Sequence, residues 1–114
     1  MDNKQETVFK SASSAIYRLV VGEYEVEGVE VSLPGTSQFL LTINCQHGML
    51  ACRLVDLSVS DRLNLPLAIF SAARLENILI GKPVMLSQSA VSMGATKEMT
   101  GAELVSLFSQ PLGG

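Results

Sequence analysis

Residues 39–57, Phe39-Leu-Leu-Thr-Ile-Asn-Cys-Gln-His-Gly-Met-Leu-Ala-Cys-Arg-Leu-Val-Asp-Leu57, place two strand-like runs on either side of a polar turn. The turn carries the chain's only histidine, His47, and the stretch holds its only cysteines, Cys45 and Cys52. On the second arm Met49, Ala51, Arg53 and Val55 point one way and Leu50, Cys52, Leu54 and Asp56 the other, because successive strand side chains alternate. Both faces are largely apolar, which fits a strand covered on two sides, by helices or by a neighbouring subunit. With residues 46–48 as the loop, cross-strand residue numbers sum to about 94–95, so Cys52 is expected opposite Thr42 or Ile43 and not opposite Cys45. A disulfide between the two would need another register.

Upstream, Pro34-Gly-Thr-Ser37 is a turn by composition. Ala15-Ile-Tyr-Arg-Leu-Val-Val21 is β-branched and aromatic enough for a strand that Gly22 can end. Glu23, Glu25 and Glu27 then alternate with Tyr24 and Val26, whereas Val29, Val31 and Leu33 take the parity of the glutamates. That inversion predicts a bulge or hairpin at Gly28. The acidic residues Glu23, Glu25, Glu27 and Glu30 read as a solvated strand face, since no glycine-kinked loop of oxygen ligands surrounds them to hold a cation. Residues 1–14 carry no periodic apolar signal and are expected to be disordered or loosely held, leaving residues 15–110 as a single domain.

Downstream, Ser58-Val-Ser-Asp61 offers a helix start that Asn64-Leu-Pro66 can interrupt. Residues 67–73, Leu-Ala-Ile-Phe-Ser-Ala-Ala, suit a helix or a buried strand equally by pattern. Leu75, Ile78 and Leu79 are spaced for a helix face, and Gly81-Lys-Pro83 stops it. Thr100-Gly-Ala-Glu103 forms a capping box ahead of the apolar stripe Leu104, Val105, Leu107 and Phe108, which predicts a C-terminal helix.

A chain of 114 residues fits one core, able to bury roughly 65% of its unfolded surface. It is 47% hydrophobic and only 17% charged, more apolar than an average soluble domain. No run approaches the ~18 apolar residues of a membrane span, and Met1–Thr7 lacks the basic and apolar regions of a signal peptide. A cytosolic location is the expectation. So few charges imply apolar surface on the protomer, and a contiguous patch of that kind closes against another subunit, so a homo-oligomer is expected. The net charge of −3 and the scatter of eight Lys and Arg argue against nucleic acid and anionic membranes. No paired metal ligands and no phosphate-cradling glycine loop call for a cofactor.

The segment Gln46-His-Gly-Met-Leu-Ala-Cys-Arg-Leu-Val-Asp-Leu57 resembles the His-Gly-aromatic-x-x-Cys-Gly-x-x-Asp block of the YunC-like bacterial and archaeal proteins, a domain family of unknown function. Val29-Glu-Val-Ser-Leu-Pro34 is similar to that family's strand ending in Leu-Pro. Met93-Gly-Ala-Thr-Lys-Glu-Met-Thr-Gly-Ala-Glu-Leu104 resembles its Leu-Gly-Ile and Gly-Met-Ser/Thr-Gly blocks before a helix. The blocks fall in order over about residues 20–108. The resemblance implies a small α+β domain whose N-terminal β region builds a tetramer, and a strand over 67–73. Arg53 stands where the family has glycine, and the interval from Asp56 to Arg74 is a few residues shorter.

Four residues become candidates for a ligand site: His47, Cys52, Arg53 and Asp56. His47, Cys52 and Asp56 carry base, nucleophile and acid chemistry, but His47 and Cys52 stand about five residues apart, or ~17 Å at strand rise, so only a contact across subunits would pair them. Each also has a plainer role: His47 in turn geometry or a capping hydrogen bond, Cys52 as a small buried hydrophobe, Asp56 as a helix cap. Arg53 either pairs with a glutamate of residues 23–30 or lines an anion site at a subunit boundary. The favoured expectation is a homo-oligomeric accessory or small-ligand-binding protein. The alternatives are an enzyme assembled between subunits around His47, Cys52 and Asp56, or a module lending the 15–33 strand edge to a partner.

Overall fold

The alternation of residues 39–52 becomes the centre of a mixed sheet. The computed structural model describes residues 4–54 and 64–110. The fold is α+β, with seven strands in sequential spatial order and, among the described residues, three helices. The strands are β1 (Lys4–Lys10), β2 (Ser14–Val21), β3 (Tyr24–Ser32), β4 (Phe39–Asn44), β5 (Met49–Cys52), β6 (Leu67–Phe70) and β7 (Met85–Leu86). The helices are α1 (Leu75–Ile80), α2 (Gln88–Ser92) and α3 (Gly101–Ser109). All neighbouring strands are antiparallel except β5 and β6, which run parallel. Residues 67–70 are therefore strand, and a short one, because Pro66 precedes them and the chain must then turn into α1.

The main core lies between one sheet face and the helices. Leu19, Val26, Leu41, Ile43, Leu50, Cys52 and Phe70 meet Leu75, Ile78, Leu104, Val105 and Phe108 there. At roughly 1.5–3 kcal/mol per buried large apolar side chain, this layer dominates the favourable side of folding. On the opposite face Ala51, Leu67 and Ile69 form a second buried cluster with Met49 against it. The central strand is thus covered on both faces, as its two apolar parities require.

Three local expectations change. Residues 4–10, expected to be a disordered or loose tail, pair along β2 as an edge strand with a bulge between Thr7 and Phe9. Every side chain from Gln5 to Lys10 is exposed, so main-chain hydrogen bonds hold β1 and no apolar period marks it in the sequence. At Gly28 there is neither bulge nor hairpin: β3 pairs Tyr17↔Gly28 and Gly28↔Ile43 in unbroken register. Glycine is there for space, since a Cβ would sit 2.9 Å from both Leu19 Cδ1 and Leu75 Cδ1. Finally, the central hairpin pairs Thr42↔Ala51 and Ile43↔Leu50, which sets Cys52 beside Leu41. The loop is one residue longer than the sequence suggested, closed by Cys45 N–H donating to the Gly48 carbonyl at 2.9 Å. Both cysteines are free thiols. The helix start expected at Ser58–Asp61 lies outside the described residues.

α3 begins with the capping box read from the sequence: Thr100 Oγ1 accepts from Glu103 N–H at 3.3 Å, and Glu103 Oε1 accepts from Thr100 N–H at 3.0 Å. The end of α1 and the start of α3 touch through their backbones, with Gly101 N–H donating to the Gly81 carbonyl at 2.9 Å. A Cβ on Gly101 would collide with the Ile78 carbonyl oxygen, which is main chain and cannot rotate away. Gly101→Ala is expected to destabilise the fold by about 2–3 kcal/mol through overpacking, and Thr100→Ala by ~1 kcal/mol through loss of the cap. Urea denaturation checks both, and a Gly101→Ala loss smaller than that of Thr100→Ala would contradict the close-contact assignment.

Candidate functional site

In open sheets with parallel strands, ligands lie beyond the carboxyl ends of those strands, where connections diverge and leave a crevice. Here that end is shared by β5 and β6, whose last registered pair is Cys52↔Phe70. A concavity of about 390 Å³ opens there, lined by Phe39, Cys52, Arg53, Leu54 and the small run Ser71-Ala72-Ala73 among others. A second of about 480 Å³ adjoins it, bounded by the Lys10–Ala15 turn, Tyr17, Glu30 and Arg74. Ser37, Phe39 and Ala73 line both, so the two concavities form one groove.

The groove is polar and carries cationic groups on an otherwise acidic protein. Arg53 and Arg74 are exposed, and among the described residues no ion pair involves either. Of the two alternatives for Arg53, pairing with a glutamate of residues 23–30 is not seen among the described residues: Glu25 is taken by Arg18 at 2.6 Å and Glu27 accepts from Asn44 Nδ2 at 3.1 Å. Glu30 lies on the opposite face of β3 from those two and meets Tyr17. Its carboxylate raises the Tyr17 phenol above the ordinary value, first by hydrogen bonding, then with burial and charge, while Arg74 opposes the shift. The four glutamates are therefore not one solvated face. The odd spacing from Glu27 to Glu30 along an unbroken strand puts Glu30 on the groove side.

The structure separates the four residues singled out from sequence. Cys52 and Arg53 are consecutive at the groove. Cys52 is 3% exposed, and its Sγ accepts from Leu41 N–H at 3.4 Å and donates to the Phe39 carbonyl at 3.8 Å. These contacts make it a strand-to-strand tie within the core. His47 sits at the other end of β5, where its N–H donates to the Phe108 carbonyl at 2.8 Å and ties the turn to the end of α3. The His47 Nε2 is buried without a hydrogen-bond partner among the described residues. Asp56 lies outside the described residues. Within one chain, then, His47 and Cys52 do not meet.

Residues that sequence reasoning missed include Lys10, Tyr17, Glu30 and Arg74. Each belongs to a different segment, and only the sheet order brings them together. The run Ser71-Ala-Ala73 after a β-rich segment was the one visible clue, since small side chains at a strand end leave room above the backbone. A further cleft of about 600 Å³ beside His47 is lined by Asn64, Gln88, Ser89, Ser92 and Met93, and among the described residues no carboxylate, lysine or arginine lines it. Among the described residues no three His, Cys, Asp or Glu side chains gather in a way that could hold a metal ion, and no helix is long and apolar enough to cross a membrane.

No family model and no curated protein matches the chain. A solved structure that it resembles is that of TA1206 from Thermoplasma acidophilum, a protein of unknown function. The two share 18% sequence identity with a TM-score of 0.78, over 89% of this chain and 98% of that one. At that identity the likeness shows a common fold.

Cys45, next to the central turn, has its thiol pushed up to about 11 by burial, partly offset by the nearby Ser109 hydroxyl. That hydroxyl is itself buried and falls short of a full hydrogen-bond geometry. Because the folded value lies above the ordinary 9.0, the thiol form is favoured by folding. Its contribution to stability is complete below about pH 9 and is lost as pH rises toward 11. Denaturation midpoints measured across that window are expected to fall more steeply for the wild type than for Cys45→Ala. Parallel profiles would contradict a desolvated thiol at this position.

Proposed function

We propose that this protein is a homo-oligomeric accessory protein of the cytosol that binds a small molecule, without catalytic machinery of its own. The observation that carries the ligand-binding part is the groove at the carboxyl ends of the parallel pair β5 and β6, with Arg53 and Arg74 free of carboxylate partners among the described residues. Such a concavity with a few convergent polar groups is the form small-molecule sites take. Two free cysteines fit a reducing compartment. The resemblance to YunC-like proteins supports a tetramer as the form of that oligomer.

Self-association draws support from the sheet face opposite the main core. Register pairs align Phe9, Ile16, Val29, Thr42, Ala51, Ile69 and Met85 in one row across all seven strands. Only Ala51 and Ile69 of that row are buried in the protomer; Ile16 and Val29 are half-buried, and Phe9 is 51% exposed. A second copy laid on this face would remove them from water. The rival strand-edge reading loses its support, because β2 and β3 are paired on both sides. A catalytic set built on His47 and Cys52 would need the end of one protomer against the opposite end of another.

Light scattering at micromolar concentration is expected to give a mass several times that of the protomer for the wild type, and the protomer mass for Val29→Lys with its circular dichroism retained. A monodisperse wild-type monomer would remove the oligomeric proposal.

A further inference from the structure

The groove has two lobes with a shared waist. Arg53 supplies the positive charge of the first lobe. The second holds Lys10 and Arg74 against Glu30, so among the described residues each lobe carries a net charge of about +1. Tyr17 lines the same lobe as Glu30. Between the lobes lie Phe39, which is 46% exposed, and Ala73, an apolar surface with only Ser37 beside it. Arg53 follows β5 directly and Arg74 comes four residues after the end of β6, and these neighbouring strands run roughly 5 Å apart. The two arginines thus line adjoining lobes of one groove.

We infer that the ligand is a small aliphatic dicarboxylate, one carboxylate in each lobe and its hydrocarbon middle over Phe39 and Ala73. This inference rests on the ligand-binding reading of the groove. A single anion would satisfy one lobe and leave the other cation and the apolar waist unused. A planar guanidinium takes a carboxylate through two parallel N–H···O bonds, which a compact phosphate cannot extend to the second lobe. The sites are open to solvent, so each pair alone is weak and salt-sensitive. Joining two weak anions in one molecule makes the second contact intramolecular, and selectivity for the diacid follows.

The test is a titration of the full-length chain by nuclear magnetic resonance at constant ionic strength, with succinate, acetate, inorganic phosphate and neutral succinamide as probes. Succinate is expected to shift the amides of Ser37, Phe39 and Ala73 and to bind at least about ten-fold more tightly than acetate or phosphate. Arg53→Met and Arg74→Met should each bring succinate down to the acetate level. Lys97→Met, which removes an exposed charge elsewhere, should leave it unchanged. Thermal melts confirm that the variants fold. Equal binding of succinate and acetate, tightest binding of phosphate, or indifference to both arginine substitutions would overturn the dicarboxylate inference. If succinamide moves the groove amides as strongly as succinate, the dicarboxylate inference fails and ligand binding stands. If no probe moves them, both fail.

Discussion

The four residues of β5 carry a constraint on which most of the molecule depends: both of their faces must be buried. Leu50 and Cys52 are sealed into the helix-covered core, and Ala51 into the cluster on the far side. A strand buried on both faces cannot lie at an edge, and its main-chain groups must find partners on each side. β4 supplies one set in antiparallel fashion and β6 the other in parallel. Parallel neighbours cannot be joined by a tight turn, which is why β5 and β6 are well separated in the sequence. The groove opens at the carboxyl ends of these two strands.

The helices then fix the ends of this arrangement. α3 reaches across β2, β3 and β5 and contacts α1, and its last turn receives the hydrogen bond from His47. Gly101 lets α3 approach the carbonyl of Ile78, and Gly28 lets Leu19 and Leu75 close over the middle of β3. These are close contacts in which a single methyl group is felt, because packed interiors have almost no slack. Ser87 anchors the far side in a different way. Its buried hydroxyl accepts from Leu67 N–H at 2.9 Å and Ala90 N–H at 3.2 Å and donates to the Leu65 carbonyl at 3.0 Å. One side chain thus satisfies the start of β6 and caps α2, linking the two elements.

The two sheet faces and the two ends of β5 divide the chemistry. The helix face is apolar and filled. The opposite face combines an acidic end, where Arg18 bridges Glu6 and Glu25, with an apolar row that includes Ile16 and Val29. Exposed ion pairs such as those of Arg18 contribute little to stability, so they bear more on which surfaces can meet than on whether the chain folds. At the groove end of β5 cationic groups gather, while at the other end His47 and Cys45 are drawn into packing against α3.

The sequence by itself determined the central hairpin, the two-sided burial of its second arm, the helix at residues 75–80 and the capped C-terminal helix. Each of these is written in a local period or a cap of a few adjacent residues. It also marked Arg53, since a charge on an apolar strand needs a reason. Tertiary structure alone decided the rest. β1 escaped because main-chain pairing leaves no side-chain pattern, and Gly28 misled because its role is space beneath Leu19 and Leu75, not a backbone bend. Lys10, Tyr17, Glu30 and Arg74 join Arg53 only through strand order, and no spacing along the chain encodes which strand will lie beside which. The separation of His47 from Cys52, by contrast, was legible in the sequence, because five residues of extended chain span ~17 Å.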